Sequence, residues 1–155
     1  MTPSGREVYE KFKAHLEDHK FRFNARDDEL VITLTVNGDD LPQPTAIRIL
    51  ADRNVVQVLS QNPSHIPEDK RVDAAVAVSV ANYGMINGAF DLDMNDGEIR
   101  FRVAQSYEGM EITEEFLKYI LGITFFTTDK YNDRFFMLGK GMMTLEQFIE
   151  KENEG

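Results

Sequence analysis

IPEDKRVDAAVAVSVANYGMINGAFDLDMNDGEIRFRVAQSY, residues 66–107, runs from a helix start through a long uncharged helix into a β-hairpin without interruption. Asp96-Gly97 supplies a dipeptide suited to the two central positions of a tight turn, because Gly takes positive φ without a Cβ clash and Asp tolerates it. Counting outward from an Asn95/Glu98 pair, Met94 meets Ile99, Leu92 meets Phe101 and Phe90 meets Val103 on one face. On the other face Asp93 meets Arg100 and Asp91 meets Arg102, so one side is apolar and the other carries ion pairs. Asp91, Asp93 and Asn95 also stand at the first, third and fifth positions of a calcium loop. The sixth position is Asp96 where Gly is needed, and the twelfth is the cation Arg102, so calcium is not expected.

Upstream of the hairpin, Pro67 suits a first helical turn, and Glu68 and Asp69 complement the positive end of the helix dipole. From Ala74 to Phe90 the sequence carries no charge. The segment is short and is punctuated by Ser79, Asn82, Gly84, Asn87 and Gly88, which argues against a membrane span. A helix this apolar is expected to be covered on more than one side, by the sheet and by another helix or a second subunit.

The chain has 155 residues, 42% of them hydrophobic, which suits one domain (1–155) with a real core. It has no Cys, which excludes disulfides, thiolate metal sites and cysteine nucleophiles. Arg6, Glu7, Glu10, Lys11 and Lys13 leave no apolar stretch for a signal peptide, so a cytosolic protein is expected. A net charge of −10 disfavours nucleic acid unless the arginines gather on one face, and accommodates basic partners more easily.

Ser4 and Glu7 spell a capping box, after which Val8, Phe12 and Leu16 form one stripe of a helix reaching about His19. His15 and His19 lie one turn apart, but no third ligand has suitable spacing; they read as helix-edge histidines, and no metal is expected. His65 has no evident nucleophile or acid partner. A short strand is expected over Phe21–Asn24, a turn at Arg26-Asp27-Asp28, and a half-buried strand in which Leu30, Ile32, Leu34 and Val36 alternate with Glu29, Val31, Thr33 and Thr35. Residues 37–44 read as a loop. Asp39 and Asp40 point apart in an extended chain and are not expected to cooperate as acid and base.

Strands over Thr45–Ala51 and Val55–Ser60 pair Ile47 with Val58 and Ile49 with Val56 on one side. Ala46/Leu59, Arg48/Gln57 and Leu50/Val55 lie on the other. This second side is a mixed strip, extended by Val31, and is either covered by a loop or left to receive a partner. Val31, Arg48, Leu50, Val55 and Leu59 are its candidate partner-binding residues.

A long aromatic helix is expected from Thr113, with Glu114 and Glu115 in its first turn, to Gly139. A flat cofactor among Phe125, Phe126, Phe135 and Phe136 is conceivable, but an aromatic stripe at helical spacing reads as core, and no cofactor is expected. Thr144 and Gln147 cap a last helix carrying Leu145, Phe148 and Ile149, whose end, Glu150–Gly155, is expected to fray.

The words Ile66-Pro67-Glu68, Lys70-Arg71, Asn82, Gly88-Ala89-Phe90-Asp91-Leu92-Asp93, Asp96-Gly97-Glu98-Ile99-Arg100-Phe101-Arg102, Thr113-Glu114-Glu115-Phe116-Leu117 and Asp129-Lys130-Tyr131 stand in an order and spacing that resemble the YbjN-domain family, often labelled bacterial sensory transduction regulators. The resemblance spans roughly residues 5 to 150; Thr127 and Thr128 depart from it, standing where smaller apolar residues are expected. It implies an α+β fold similar to type III secretion chaperones, small acidic proteins that dimerise and hold partner segments. The expected architecture is an antiparallel sheet of about five to six strands in the order α-β-β-β-β-α-β-β-α-α. No catalytic motif transfers. The expected function is a non-enzymatic regulatory or chaperone-like module, binding an unnamed protein partner as a homodimer, with neither nucleic acid nor membrane. The alternative is a small-ligand sensor or enzyme with a pocket between the sheet and the helix over 113–138.

Overall fold

Helix α1 (Gly5–Asp18) begins where the Ser4 hydroxyl accepts the Glu7 N–H at 3.1 Å and the Glu7 carboxylate accepts the Ser4 N–H at 3.3 Å. Satisfying two otherwise orphaned donors fixes the first turn, and Val8, Phe12 and Leu16, joined by Tyr9, then bury one stripe. The structure, a computed structural model, describes residues 1–39 and 41–154; Asp40 of the Asp39/Asp40 pair lies outside them. Among these residues the chain is α+β, with six antiparallel strands and four α-helices in the expected order. The strands are β1 (Asn24–Arg26), β2 (Val31–Asn37), β3 (Pro42–Leu50), β4 (Val55–Gln61), β5 (Ala89–Leu92) and β6 (Ile99–Ser106). The sheet order is β1-β2-β3-β4-β6-β5, a meander in which, among the described residues, one crossover carries α2 (Arg71–Tyr83) from β4 to the far edge.

Alternation along the strands assigns the two faces. Ile32, Leu34, Ile47, Ile49, Val56, Val58, Phe90, Ile99, Phe101 and Val103 are buried, while the residues between them are half-exposed or exposed. The expected β3–β4 pairing is present residue for residue, from Ala46 opposite Leu59 to Leu50 opposite Val55. Several strand boundaries move by one to three residues, β2 for example starting at Val31 after a turn over residues 27–30, and two of the shifts have a clear cause. β1 starts at Asn24 rather than Phe21, because Phe21 and Phe23 turn their rings against the core, Phe21 lying 6.1 Å from the Phe125 ring. β3 starts at Pro42 rather than Thr45: Pro42 and Pro44 pair with β2 alone, and β4 joins only at Thr45, so the absent proline N–H groups interrupt little.

The β5–β6 hairpin is shifted from the expected register. Leu92 meets Ile99, Asp91 meets Arg100 and Phe90 meets Phe101, and the closing pair is Asp93/Glu98 around a four-residue loop. Asp96 does not share the positive φ that a two-residue turn of this kind demands; in the loop only Gly97 has it, at 82°. The Asp93 carboxylate accepts the Asn95 N–H and the Asp96 carboxylate accepts the Glu98 N–H, each at 2.9 Å, which stabilises the longer loop. Gly97 then accepts the Ile66 N–H on its own carbonyl at 2.8 Å. A two-residue shift preserves which face each side chain occupies, so only the pairing partners and Met94, now exposed, are corrected.

A 3-10 turn, Glu68–Lys70, precedes α2, which begins at Arg71 rather than Pro67. Arg71 draws the two elements together by donating from Nε to the Ile66 carbonyl at 3.0 Å and from Nη1 to the Asn95 carbonyl at 3.3 Å. α2 buries Ala74, Ala77, Val78 and Ala81 against β5, α3 (Glu114–Gly139) and α4 (Leu145–Asn153). Its cover is incomplete, because Val72 and Val76 remain exposed. Of the segment expected to fray, α4 keeps residues through Asn153 in helix, and Gly155 lies outside the described residues. Glu152 accepts the Tyr131 hydroxyl at 2.6 Å and Arg134 Nη1 at 3.2 Å, and this clasp offsets the usual loosening of a terminus. Burial and the hydrogen bond to Glu152 hold the Tyr131 hydroxyl well above its ordinary pKa.

Candidate functional site

Because the helices pack on one side, the odd-numbered residues of β2 and the even-numbered residues of β3 and β6 form an outer sheet face. The five sequence-predicted residues share it. Val31 is opposite Arg48, Leu50 is opposite Val55, and Leu59 stands between Ala46 and Arg102. Arg48 Nη1 donates to Gln57 Oε1 at 3.1 Å across the β3–β4 pair. Half-buried aliphatic side chains and the exposed Arg48 therefore share this surface.

The arginines do gather here. Arg26, Arg48, Arg100 and Arg102 lie on this face, and Asp91 is the one carboxylate among its described strand residues. Asp91 Oδ2 accepts from Arg102 Nε at 2.8 Å and from Arg100 Nε at 3.2 Å, and Asp91 Oδ1 accepts from Arg102 Nη2 at 3.1 Å. The Arg102 hydrogen bonds, with Arg100 beside them, hold the Asp91 carboxyl below the usual carboxylate range. Asp91 thus serves as an internal counter-ion to two arginines. Among the described residues no cluster of His, Cys, Asp or Glu could hold a metal ion.

At the β1 side the face deepens into a groove of about 420 Å³ lined by Arg22, Phe23, Thr33, Leu59, Gln61 and Arg100, among others. Its formation needs β4 beside β6 and the segment before β1 lying along β2. Neither is visible in local periodicity, and of the five predicted residues only Leu59 lines it.

The space between the sheet and α3 is occupied by side chains. Phe90 makes edge-on contacts with Phe101, Tyr131 and Phe135 at ring distances of 5.0–5.4 Å, and Phe135 stacks on Phe148 at 5.4 Å. Phe135 is core, whereas Phe126 projects to solvent, so the imagined aromatic cradle is not assembled. Beside this cluster runs a polar seam of Gln43, Thr45, Ser60, Asn62, Thr124, Thr128 and Asn132, all buried. Asn62 Nδ2 donates to the Asn132 carbonyl at 3.1 Å and Gln43 Nε2 to the Phe125 carbonyl at 3.3 Å. Thr128 returns its hydroxyl to the Thr124 carbonyl at 2.5 Å, which is how α3 accommodates a polar residue where an apolar one was expected. These are carboxamides and hydroxyls, groups that do not exchange protons near neutral pH.

His15 is a correction. It is 4% exposed, not at the helix edge, and its Nδ1 lies 2.8 Å from Glu114 Oε2 at the start of α3, while the His19 ring lies 4.2 Å away. The pair ties α1 to α3. His65 Nδ1 lies 3.1 Å from the Asp96 carbonyl and so braces the hairpin loop.

Sequence reasoning singled out Asn82 only as a break in the uncharged segment and as part of the resemblance, and missed its role. Its Nδ2 donates to the Phe90 carbonyl at 3.1 Å and its Oδ1 accepts the Phe90 N–H at 2.8 Å. Phe90 sits at the open edge of β5, so one carboxamide takes the place of a neighbouring strand there.

No family model matches the chain, and no curated protein matches it either. Among solved structures it is similar to the crystal structure of YbjN from E. coli, a protein proposed to regulate transcription. The TM-score is 0.61 at 13% sequence identity, covering 79% of this chain and 87% of that chain. The fold is therefore YbjN-like. No described helix is long and apolar enough to cross a membrane.

Proposed function

We propose that the protein is a cytosolic, non-enzymatic regulatory or chaperone-like module that holds an extended segment of a protein partner across the outer face of its sheet, acting as a homodimer. The observation that carries the proposal is the outer face itself, where Val31, Leu50, Val55 and Leu59 alternate with Arg48 and Arg102 on a side of the sheet that the helices leave open. Mixed apolar and guanidinium surfaces of this kind suit protein interfaces, whose centres are rich in apolar contacts and arginine. The YbjN-like fold agrees with a regulatory or adaptor role.

For the homodimer, the support is the stripe of Val72, Val76 and Tyr83 on α2, continued by Ile86 and Tyr119. Tyr83 is 95% exposed and Ile86 100% exposed, within a stretch that has no charge from Ala74 to Phe90. Two chains of net charge −10 repel, and an uncharged apolar stripe is where they approach at least cost.

The test is affinity purification at endogenous level from the native host, run in parallel with a Leu59→Asp/Arg48→Glu variant that melts like the wild type. A protein recovered in fixed proportion with the wild type and lost with the variant is the expected result. The same recovery from both would remove the outer face from the function.

A further inference from the structure

We infer that the groove between Arg22 and Arg100 is a carboxylate subsite that seats one acidic side chain of the bound segment. The inference rests on the binding face proposed above and adds the chemistry by which that face selects its partner. At about 420 Å³ the groove falls in the range of small-ligand sites, room for one side chain with its flanking backbone.

Two arginines line it. Arg22 precedes β1 and, among the described residues, makes neither a hydrogen bond nor an ion pair. Arg100 engages Asp91 through Nε alone, which leaves its two terminal nitrogens as donors. A planar guanidinium fork matches a carboxylate in both geometry and charge, and such charge-assisted bonds are about twice as strong as neutral ones. Thr33 lines the same wall, while Leu59 supplies an apolar surface for the methylenes that carry a carboxylate. Glu98, the nearby acid, is engaged by Gln61 Nε2 at 3.0 Å.

A single-stranded nucleic acid also carries anions, but open sheets that bind it stack bases on aromatic side chains. The outward residues of β2, β3, β4 and β6 here are aliphatic, amide, hydroxyl, proline or arginine. The arginines of the groove, set against a chain of net charge −10, and a non-aromatic surface together favour an acidic, partly apolar peptide.

The test is selection of phage-displayed random decapeptides on the intact protein, followed by binding measurements on the recovered peptides and on oligothymidine. The expected peptides are rich in Asp or Glu, lose binding to the Leu59→Asp variant, and weaken by about tenfold when one acid is replaced by its amide. Arg22→Gln, whose melting temperature should match the wild type because among the described residues the side chain has no partner to lose, should shrink that tenfold difference to less than about threefold, Arg100 being left as the remaining donor. Peptides that need Leu59 yet bind equally well as acid or amide would overturn the subsite and leave the face intact. Peptides indifferent to Leu59→Asp would overturn both. Oligothymidine that outcompetes every peptide, with the same dependence on Arg22, would overturn the acidic segment in favour of nucleic acid.

Discussion

Gly97 sits at φ 82°, and a Cβ built on it would lie 2.0 Å from the Ile66 carbonyl oxygen. Gly97→Val therefore meets two penalties, a left-handed backbone and a collision with backbone that cannot rotate away. Together they should cost on the order of 2–4 kcal/mol. Thermal unfolding should show a melting temperature lower by roughly 4–16 °C. Asp93→Asn, whose carbonyl oxygen can still accept the Asn95 N–H, should melt within about a degree of wild type. Asp91 differs from Asp93 because it holds two arginines. Its folded pKa is depressed, so its contribution is complete above the unfolded carboxylate value, about 4, and is lost as pH falls from there toward the folded value. Asp91→Asn should accordingly be less stable at pH 7, by no more than about 1 kcal/mol for so exposed a pair, with the gap closing below pH 4. Chemical denaturation across pH measures it, and a gap that widens in acid would contradict the assignment.

At the scale of elements, Asn82 is the joint between α2 and β5. Asn82→Ala strands the Phe90 N–H and C=O, which should cost about 1–3 kcal/mol and accelerate amide exchange at Phe90 above all other strand positions. Unchanged exchange at Phe90 would mean the clamp is not maintained in solution. The same elements show what patterning can and cannot convey. Pairing across β3 and β4 was legible because a short connection and strict alternation leave one register that buries both Ile47 and Val58. The hairpin register was not, because alternation has period two and a shift of two residues preserves every face. What selects the observed pairing is Gly97 meeting Ile66, a contact from outside the hairpin. His15 with Glu114 and Gln43 with Phe125 were hidden for the same reason, each joining elements far apart in sequence. The five outer-face residues followed from strand parity. The groove did not, since Arg100 reaches it only through the β4–β6 neighbourhood.

For the molecule as a whole, charge is unevenly placed, with arginines on the open sheet face, an uncharged stripe along α2, and a net −10 on the chain. Light scattering after size exclusion should show a dimer at tens of micromolar, in line with an interface of standard size. Val76→Glu, at a position 41% exposed and outside the core, should give a monomer with little change in melting temperature. A wild-type monomer at high concentration would dismiss the α2 interface. The clamp at Phe90 has a further consequence for how this fold can read a partner. A strand added to a sheet edge is held by its backbone and is largely indifferent to sequence. Here the β5 edge is already occupied by Asn82, and β1 offers only three residues at the other. A segment laid across the outer face instead must be gripped through its side chains, so closing the edge converts a general affinity for extended chain into discrimination among sequences.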